Sequence, residues 1–259
     1  MELMIDIGNT HTVLGIYHKD HLEKHWRLTS HAARTEDEIW SVVHSFFKFE
    51  NLKISDIKGV CISSVVPGLT RLYQWMVDKY LSCRTMLISS ELDLGMKILY
   101  HDPPSVGADR LCNAAAGKEK YGTPLIIVDF GTATTFDCID KQGNYLGGII
   151  CPGLESAASI LHQKAAKLPK IELIFPPKVI GRNTEESMQS GIMYGSIEMI
   201  DGMIKRIKKE LGTDSRVIGT GGLAATIAER SKAIDLVDEN LNLEGIYLLY
   251  QRNLSKNGF

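Results

Sequence analysis

The chain has 259 residues, 44% of them hydrophobic and 23% charged, with a formal net charge of -2. This length and balance suit a globular protein with a sizeable core and exclude disordered, fibrous and small stapled classes; the scattered Lys and Arg offer neither a basic stripe for nucleic acid nor a polybasic face for anionic lipid. The start, Met1-Glu2-Leu3-Met4-Ile5-Asp6, lacks the basic and apolar regions of a signal peptide, no apolar run is long enough for a bilayer, and the five cysteines form no C-x-x-C pair, so a cytoplasmic protein with no membrane and no nucleic-acid partner is expected.

Short apolar runs at Leu3–Ile5, Thr12–Tyr17 and Trp26–Leu28, the last two split by the His18-Lys19-Asp20 turn, predict a three-stranded meander. Thr35 and Glu38 have capping-box spacing, and Ile39, Trp40, Val43, Phe46 and Phe47 follow at helical spacing. Strand signals at Val60–Ser63 and Thr85–Ile88 flank a helix opened by Pro67, and a further helix is expected from Ala108 to Lys120. The programme then restarts. Pro124–Val128 leads through a second turn into another strand, Gln142-Gly143-Asn144 makes a hairpin turn before a strand at Tyr145–Ile150, and a helix spans Leu154–Ala166. After a Pro-rich loop come a helix from Glu185 to Leu211, a strand at Val217-Ile218, a Gly-rich turn with a short helix, a strand near Ile234–Val237 and a closing helix.

The restart is also visible in residues. Asp6-Ile7-Gly8-Asn9-Thr10-His11-Thr12-Val13 laid over Asp129-Phe130-Gly131-Thr132-Ala133-Thr134-Thr135-Phe136 matches Asp, Gly, Thr and an apolar position. An internal duplication of α/β lobes is implied, 1–118 and 119–259, with a ligand cleft expected between them. A hairpin turn alone explains a single Asp-x-Gly, and Asp93-Leu94-Gly95, without the preceding apolar strand or following Thr residues, reads as a chance copy. The pair points instead to phosphate: Gly lets the backbone approach closely, N–H and Thr hydroxyl groups donate, and the Asp holds a neutralising cation. Gly219-Thr220-Gly221-Gly222 fits either a nucleotide-facing turn or a plain strand-to-helix turn. His18, His21 and His25 surround a turn and read as solvated surface.

Catalysis is expected in Val106-Gly107-Ala108-Asp109-Arg110-Leu111, where a loop becomes a helix. An Asp in a first turn also serves as a dipole or cap residue, but an Arg gains nothing from the dipole there and suits an anionic ligand. Phosphoryl transfer needs positioning, charge neutralisation and a base near the acceptor hydroxyl, and Asp109 fits the base.

Together these motifs, with Ser63-Ser64-Val65-Val66-Pro67, Gly147-Gly148, Pro152-Gly153 and Gly181-Arg182-Asn183-Thr184, resemble the type III pantothenate kinases of the acetate and sugar kinase, chaperone and actin superfamily over the whole length. The resemblance implies two ribonuclease H-like lobes, a duplicated actin-like ATPase fold, and transfer of the ATP γ-phosphate to the 4′-hydroxyl of pantothenate. It implies that Asp6, Ile7, Gly8, Asn9, Thr10, His11, Thr12, Val13 and Thr132 bind ATP. By the same resemblance Asp129 would hold a monovalent cation (K⁺ or NH₄⁺) beside nucleotide-bound Mg²⁺, and Tyr100, Gly107, Ala108, Asp109, Arg110 and Thr184 would contact pantothenate, with Asp109 accepting the proton. A homodimer is implied, with Thr184 near the subunit interface. Two rival readings are another small-molecule kinase of the superfamily and a non-catalytic ligand-sensing regulator.

Overall fold

The computed structural model describes residues 1–31 and 33–254. The chain divides into two compact units, Met1–Ala116 together with the segment from Asn240, and Gly117–Glu239. This boundary lies within two residues of the expected one, but the closing helix, expected with the second half, belongs to the first unit.

In the first unit, β1 (Glu2–Ile7), β2 (His11–His18) and β3 (His21–Thr29) form the expected antiparallel meander. The β2–β3 turn is tight because Lys19 and Asp20 both take positive φ, 50° and 68°, as a two-residue hairpin of this hand requires. The capping box opens α1 (Glu36–Phe49): Glu38 N–H donates to Thr35 Oγ1 and Thr35 N–H to Glu38 Oε2. Strand β4 (Gly59–Ser64), α2 (Pro67–Tyr80) and β5 (Thr85–Leu87) follow, and the sheet order is β3-β2-β1-β4-β5, with β4 parallel to β1 and β5 parallel to β4. One face of the sheet, through Leu3, Ile5, Ile7, Leu14 and Ile16, buries the apolar stripes of α1 and α2, including Ile39, Val43, Phe47, Leu69 and Met76. Helix α3 (Ala108–Tyr121) comes next in the chain.

The second unit repeats the plan. Strands β6 (Leu125–Phe130), β7 (Ala133–Ile139) and β8 (Tyr145–Pro152) form the meander, followed by α4 (Leu154–Lys164), α5 (Thr184–Leu211), β9 (Arg216–Thr220), α6 (Ala224–Ala228) and β10 (Leu236–Val237). Its sheet order read from the meander, β8-β7-β6-β9-β10, is that of the first unit strand for strand. These are two ribonuclease H-like α/β lobes.

The pairing corrects one detail of the duplication. Asp6 pairs with Val13 and Ile7 with Thr12, whereas Asp129 pairs with Thr135 and Phe130 with Thr134. The second turn is therefore one residue shorter, and the structural counterpart of Thr12 is Thr134, not Thr135.

Helix α7 (Leu241–Leu254) packs on β1 and β4 of the first unit. Its fit depends on two glycines: a Cβ at Gly59 would collide with the Tyr250 hydroxyl, and one at Gly245 with the backbone of Cys112. Asp93-Leu94-Gly95 fastens this helix. Gly95 N–H donates to Asp93 Oδ1 (3.0 Å), while Asn253 receives from Asp93 N–H (2.9 Å) and donates to Asp93 O (3.0 Å). The third Asp-x-Gly is thus a structural turn.

Candidate functional site

The first turn, Gly8-Asn9-Thr10, is pulled tight where Gly8 N–H donates to His11 O at 3.0 Å. A Cβ on Gly8 would also stand 3.0 Å from His11 O, so the turn has little room for a side chain there. Asn9 and His11 are exposed, Thr10 and Val13 half-buried, Ile7 in the core and Thr12 fully buried. The turn thus presents Asn9 and His11 outward, anchored by the buried Ile7 and Thr12 on either side.

Asp6 is half-buried and lies on the sheet face opposite Ile5 and Ile7. Parallel pairing sets it beside Ser63, whose Oγ donates to Asp6 Oδ1 at 3.0 Å. Cys112 lies near Ser63, and the charges of both Asp6 and Asp109 act on its thiol. Burial, reinforced by Cys61 and these two carboxylates, holds the Cys112 thiol well above its ordinary value, so it stays neutral. The sequence reading missed Ser63 and Cys112 as the link between the first turn and the expected base. One signal was available: Asp109 and Cys112 are three residues apart and share a helix face.

Asp109 sits in the first turn of α3, and its Oδ1 accepts from Arg110 N–H at 2.8 Å. Burial pushes its carboxyl above the ordinary range, against the opposing pull of the Arg110 N–H and guanidinium. Gly107 leaves space for this carboxylate, since a Cβ there would collide with Asp109 Oδ1. From α7, Asn242 Nδ2 donates to Asp109 O at 3.1 Å. Arg110 is buried, and Tyr100 is exposed on the segment leading to α3. A cavity of about 510 Å³ opens where β4 and β5 end and α3 begins, lined by Ser64, Ser89, Ser90, Glu91, Val106 and Gly107 among others. Pockets at the carboxyl ends of parallel strands are common ligand sites of α/β sheets.

In the second unit, Gly131 N–H donates to Ala133 O at 3.1 Å and leaves Gly131 and Thr132 exposed. Ser156 Oγ donates to Thr132 O at 2.7 Å. The half-buried Asp129 pairs with Thr135 on one side and Thr220 on the other. Gly221, at φ +89°, lies against it: a Cβ there would stand 2.5 Å from Asp129 Oδ1 and 2.8 Å from Phe130 N. Gly221 is therefore required by packing behind the second turn. The buried Asp137, two residues after Thr135, accepts from Tyr145 Oη at 2.7 Å. Thr184 is exposed at the first position of α5, whose cap is Asn183 Oδ1 accepting from Glu186 N–H.

Among the described residues no helix is long and apolar enough to cross a membrane. His18 and His21 face each other across the β2–β3 hairpin, with His21 and His25 exposed, as surface residues.

A model of the type III pantothenate kinase family matches residues 2–206. Solved structures share the fold at low identity. A Campylobacter jejuni protein assigned to a Baf family of transcriptional activators aligns at 18% identity and TM-score 0.60, covering 98% of this chain and 99% of that one. The ethanolamine utilization protein EutJ from Carboxydothermus hydrogenoformans aligns at 15% and 0.56, covering 95% and 89%. Lmo2764 from Listeria monocytogenes, assigned as an N-acetylmannosamine kinase, aligns at 11% and 0.54, covering 96% and 98%.

Proposed function

The chain belongs to the type III pantothenate kinase family, and we propose a division of labour among its residues in phosphorylating the 4′-hydroxyl of pantothenate with ATP. The carrying observation is Asp109, a carboxylate with raised proton affinity beside a cavity at the start of α3. The raised affinity makes it a stronger base than an ordinary Asp, closer to what proton abstraction from an alcohol needs. The 4′-oxygen bonds to the γ-phosphorus as its proton passes to Asp109, and the bond to the β-phosphate oxygen breaks to release ADP. Residues Gly107 to Arg110 with Tyr100 hold pantothenate, and the buried Arg110 suits its carboxylate.

Asp6 to Val13 form the principal phosphate cradle, and Thr132 is a further ATP-binding residue. Among the described residues no group of three or more His, Cys, Asp or Glu side chains forms a metal cage. The donor set suits cations carried with a nucleotide, because phosphate oxygens and water complete their shells around one or two carboxylates. Asp129, beside the exposed Gly131-Thr132 turn, would hold K⁺ or NH₄⁺, while Mg²⁺ comes with ATP. Bound there, these ions neutralise phosphate charge.

A homodimer is supported by the apolar surface of the second unit. Ile150 on β8, Ile160 and Leu161 on α4, and Ile174, Val179 and Ile180 before α5 are exposed, Ile180 to 83%. Thr184 follows four residues later, which supports its acting near a subunit interface. We place the enzyme in the cytoplasm, where its five free cysteines stay reduced.

The test is an assay of purified protein with ATP, Mg²⁺ and K⁺ across a panel of hydroxyl acceptors. Pantothenate should be the preferred acceptor. Absence of pantothenate turnover, or clear preference for a sugar, would sink the reading.

A further inference from the structure

The Gly8–Thr12 turn is held from behind by a residue outside it. Ser30, directly after β3, donates from Oγ to Gly8 O (2.7 Å) and from N–H to Thr10 O (2.9 Å), and its Oγ pairs with Thr12 Oγ1 (2.9 Å). The Ser30 hydroxyl hydrogen goes to Gly8 O, so in the third bond Ser30 accepts and Thr12 donates. The three residues thus form a chain with one direction, Thr12 to Ser30 to Gly8, in which each bond polarises the next.

This chain aims the turn. Two of its carbonyls, of Gly8 and Thr10, point at Ser30. A trans peptide sets each N–H antiparallel to its carbonyl, so the N–H groups of Asn9 and His11 are turned away from Ser30.

The second unit supplies an internal comparison. His11 pairs with Thr29 and Ala133 with Pro152, so Gly153 stands where Ser30 does. No hydroxyl fits there, because a Cβ on Gly153 would lie 2.6 Å from Gly131 O and collide with Thr132 O. Correspondingly Thr134, the counterpart of Thr12, is fully buried, and its Oγ1 has no hydrogen-bond partner among the described residues.

We infer that Ser30 is a positioning residue for nucleotide binding, which stiffens the first Asp-x-Gly turn as the phosphate cradle while the second turn is built without this brace. The inference rests on the ATP-binding role proposed for Asp6 to Val13. Its test compares wild type with Ser30→Ala, Ser30→Gly and Ser30→Thr. ATP binding is titrated calorimetrically without acceptor, kinetics are measured with ATP and pantothenate varied in turn, and melting temperature is recorded alongside. Losing one or two hydrogen bonds to the cradle should raise the ATP Kd and KM about three- to ten-fold in Ser30→Ala and Ser30→Gly. Ser30→Thr should restore both, and the pantothenate KM should stay within about two-fold of wild type in all three, because that site has its own residues. An unchanged ATP Kd in Ser30→Ala overturns the inference, and so does a parallel rise in both KM values. If Ser30→Ala does not fold, Thr12→Val breaks the same chain one link earlier, and an unchanged ATP Kd there overturns it equally. Wild type that binds ATP yet leaves pantothenate untouched would sink the acceptor assignment, and Ser30 would still stand or fall on the Kd.

Discussion

Gly221 and Gly212 offer a matched pair of substitutions. Both are left-handed, at φ +89° and +63°. Around Gly212, at the carboxyl end of α5, nothing lies within 4 Å of an added Cβ, whereas at Gly221 the new carbon would stand 2.5 Å from Asp129 Oδ1, 2.8 Å from Phe130 N and 2.9 Å from Phe130 C. Gly→Ala at either site carries the left-handed backbone penalty of about 1–2 kcal/mol. Only Gly221→Ala adds a collision with backbone, which overpacking experience puts at about 1–3 kcal/mol. At roughly 2–4 °C per kcal/mol for a protein of this size, Gly212→Ala should melt about 4 °C below wild type and Gly221→Ala about 10 °C below. Differential scanning fluorimetry reads both. Because the displaced atom is a carboxylate oxygen of Asp129, Gly221→Ala should also raise the K⁺ concentration for half-maximal activity, and Gly212→Ala should not. Equal melting temperatures for the two variants would refute the packing argument.

Asp109→Asn should abolish transfer while leaving pantothenate binding measurable, since a base matters more to the chemistry than to ground-state binding; an unchanged rate would remove Asp109 from its role. The same variant tests the electrostatics. The Asp109 carboxyl lies above its ordinary 3.8 because burial disfavours the charge, so its contribution to stability is full below that value and lost as pH rises through the raised one. Asp109→Asn should therefore melt higher than wild type at pH 7, with the gap closing in acid, and a lower melting temperature at pH 7 would contradict this. Replacing K⁺ by Na⁺ should slow the reaction if Asp129 holds a monovalent ion, and equal rates would discard that ligand. Ile180→Glu places a charge on the apolar surface before α5 and should shift a dimer towards monomer in light scattering; an unaltered mass would show that Ile180 lies outside any interface.

Much of this architecture was legible in the residues because local chemistry governs it. The Thr35 and Glu38 capping box, the Lys19-Asp20 turn and the apolar periods of α1, α2 and α5 each act within a few residues. What escaped depends on pairing between distant segments. Ser63 meets Asp6 across 57 positions, and only the β1–β4 register brings them together. The one-residue shortening of the second turn is hidden because Thr134 and Thr135 are identical, so an ungapped overlay matches a threonine either way. Ser30 carries no pattern of its own, since a serine after a strand is ordinary loop chemistry until its three partners are seen. Asp93 shows the reverse: its Asp-x-Gly spacing looked coincidental, and it proves to be the seat of Asn253 on the closing helix.

The placement of α7 sets an order of assembly. Residues 117–239 contain every strand of their own sheet, so this unit has all its partners as soon as it leaves the ribosome. The sheet that begins at Glu2 has α1 and α2 on one face early, but it lacks α7 over β1 and β4 until Leu241–Leu254 is made, more than a hundred residues after its last strand. Synthesis therefore finishes the later half first, and the amino-terminal strands wait with one face incompletely covered. That interval is when the nascent chain is most exposed to aggregation and to chaperone capture.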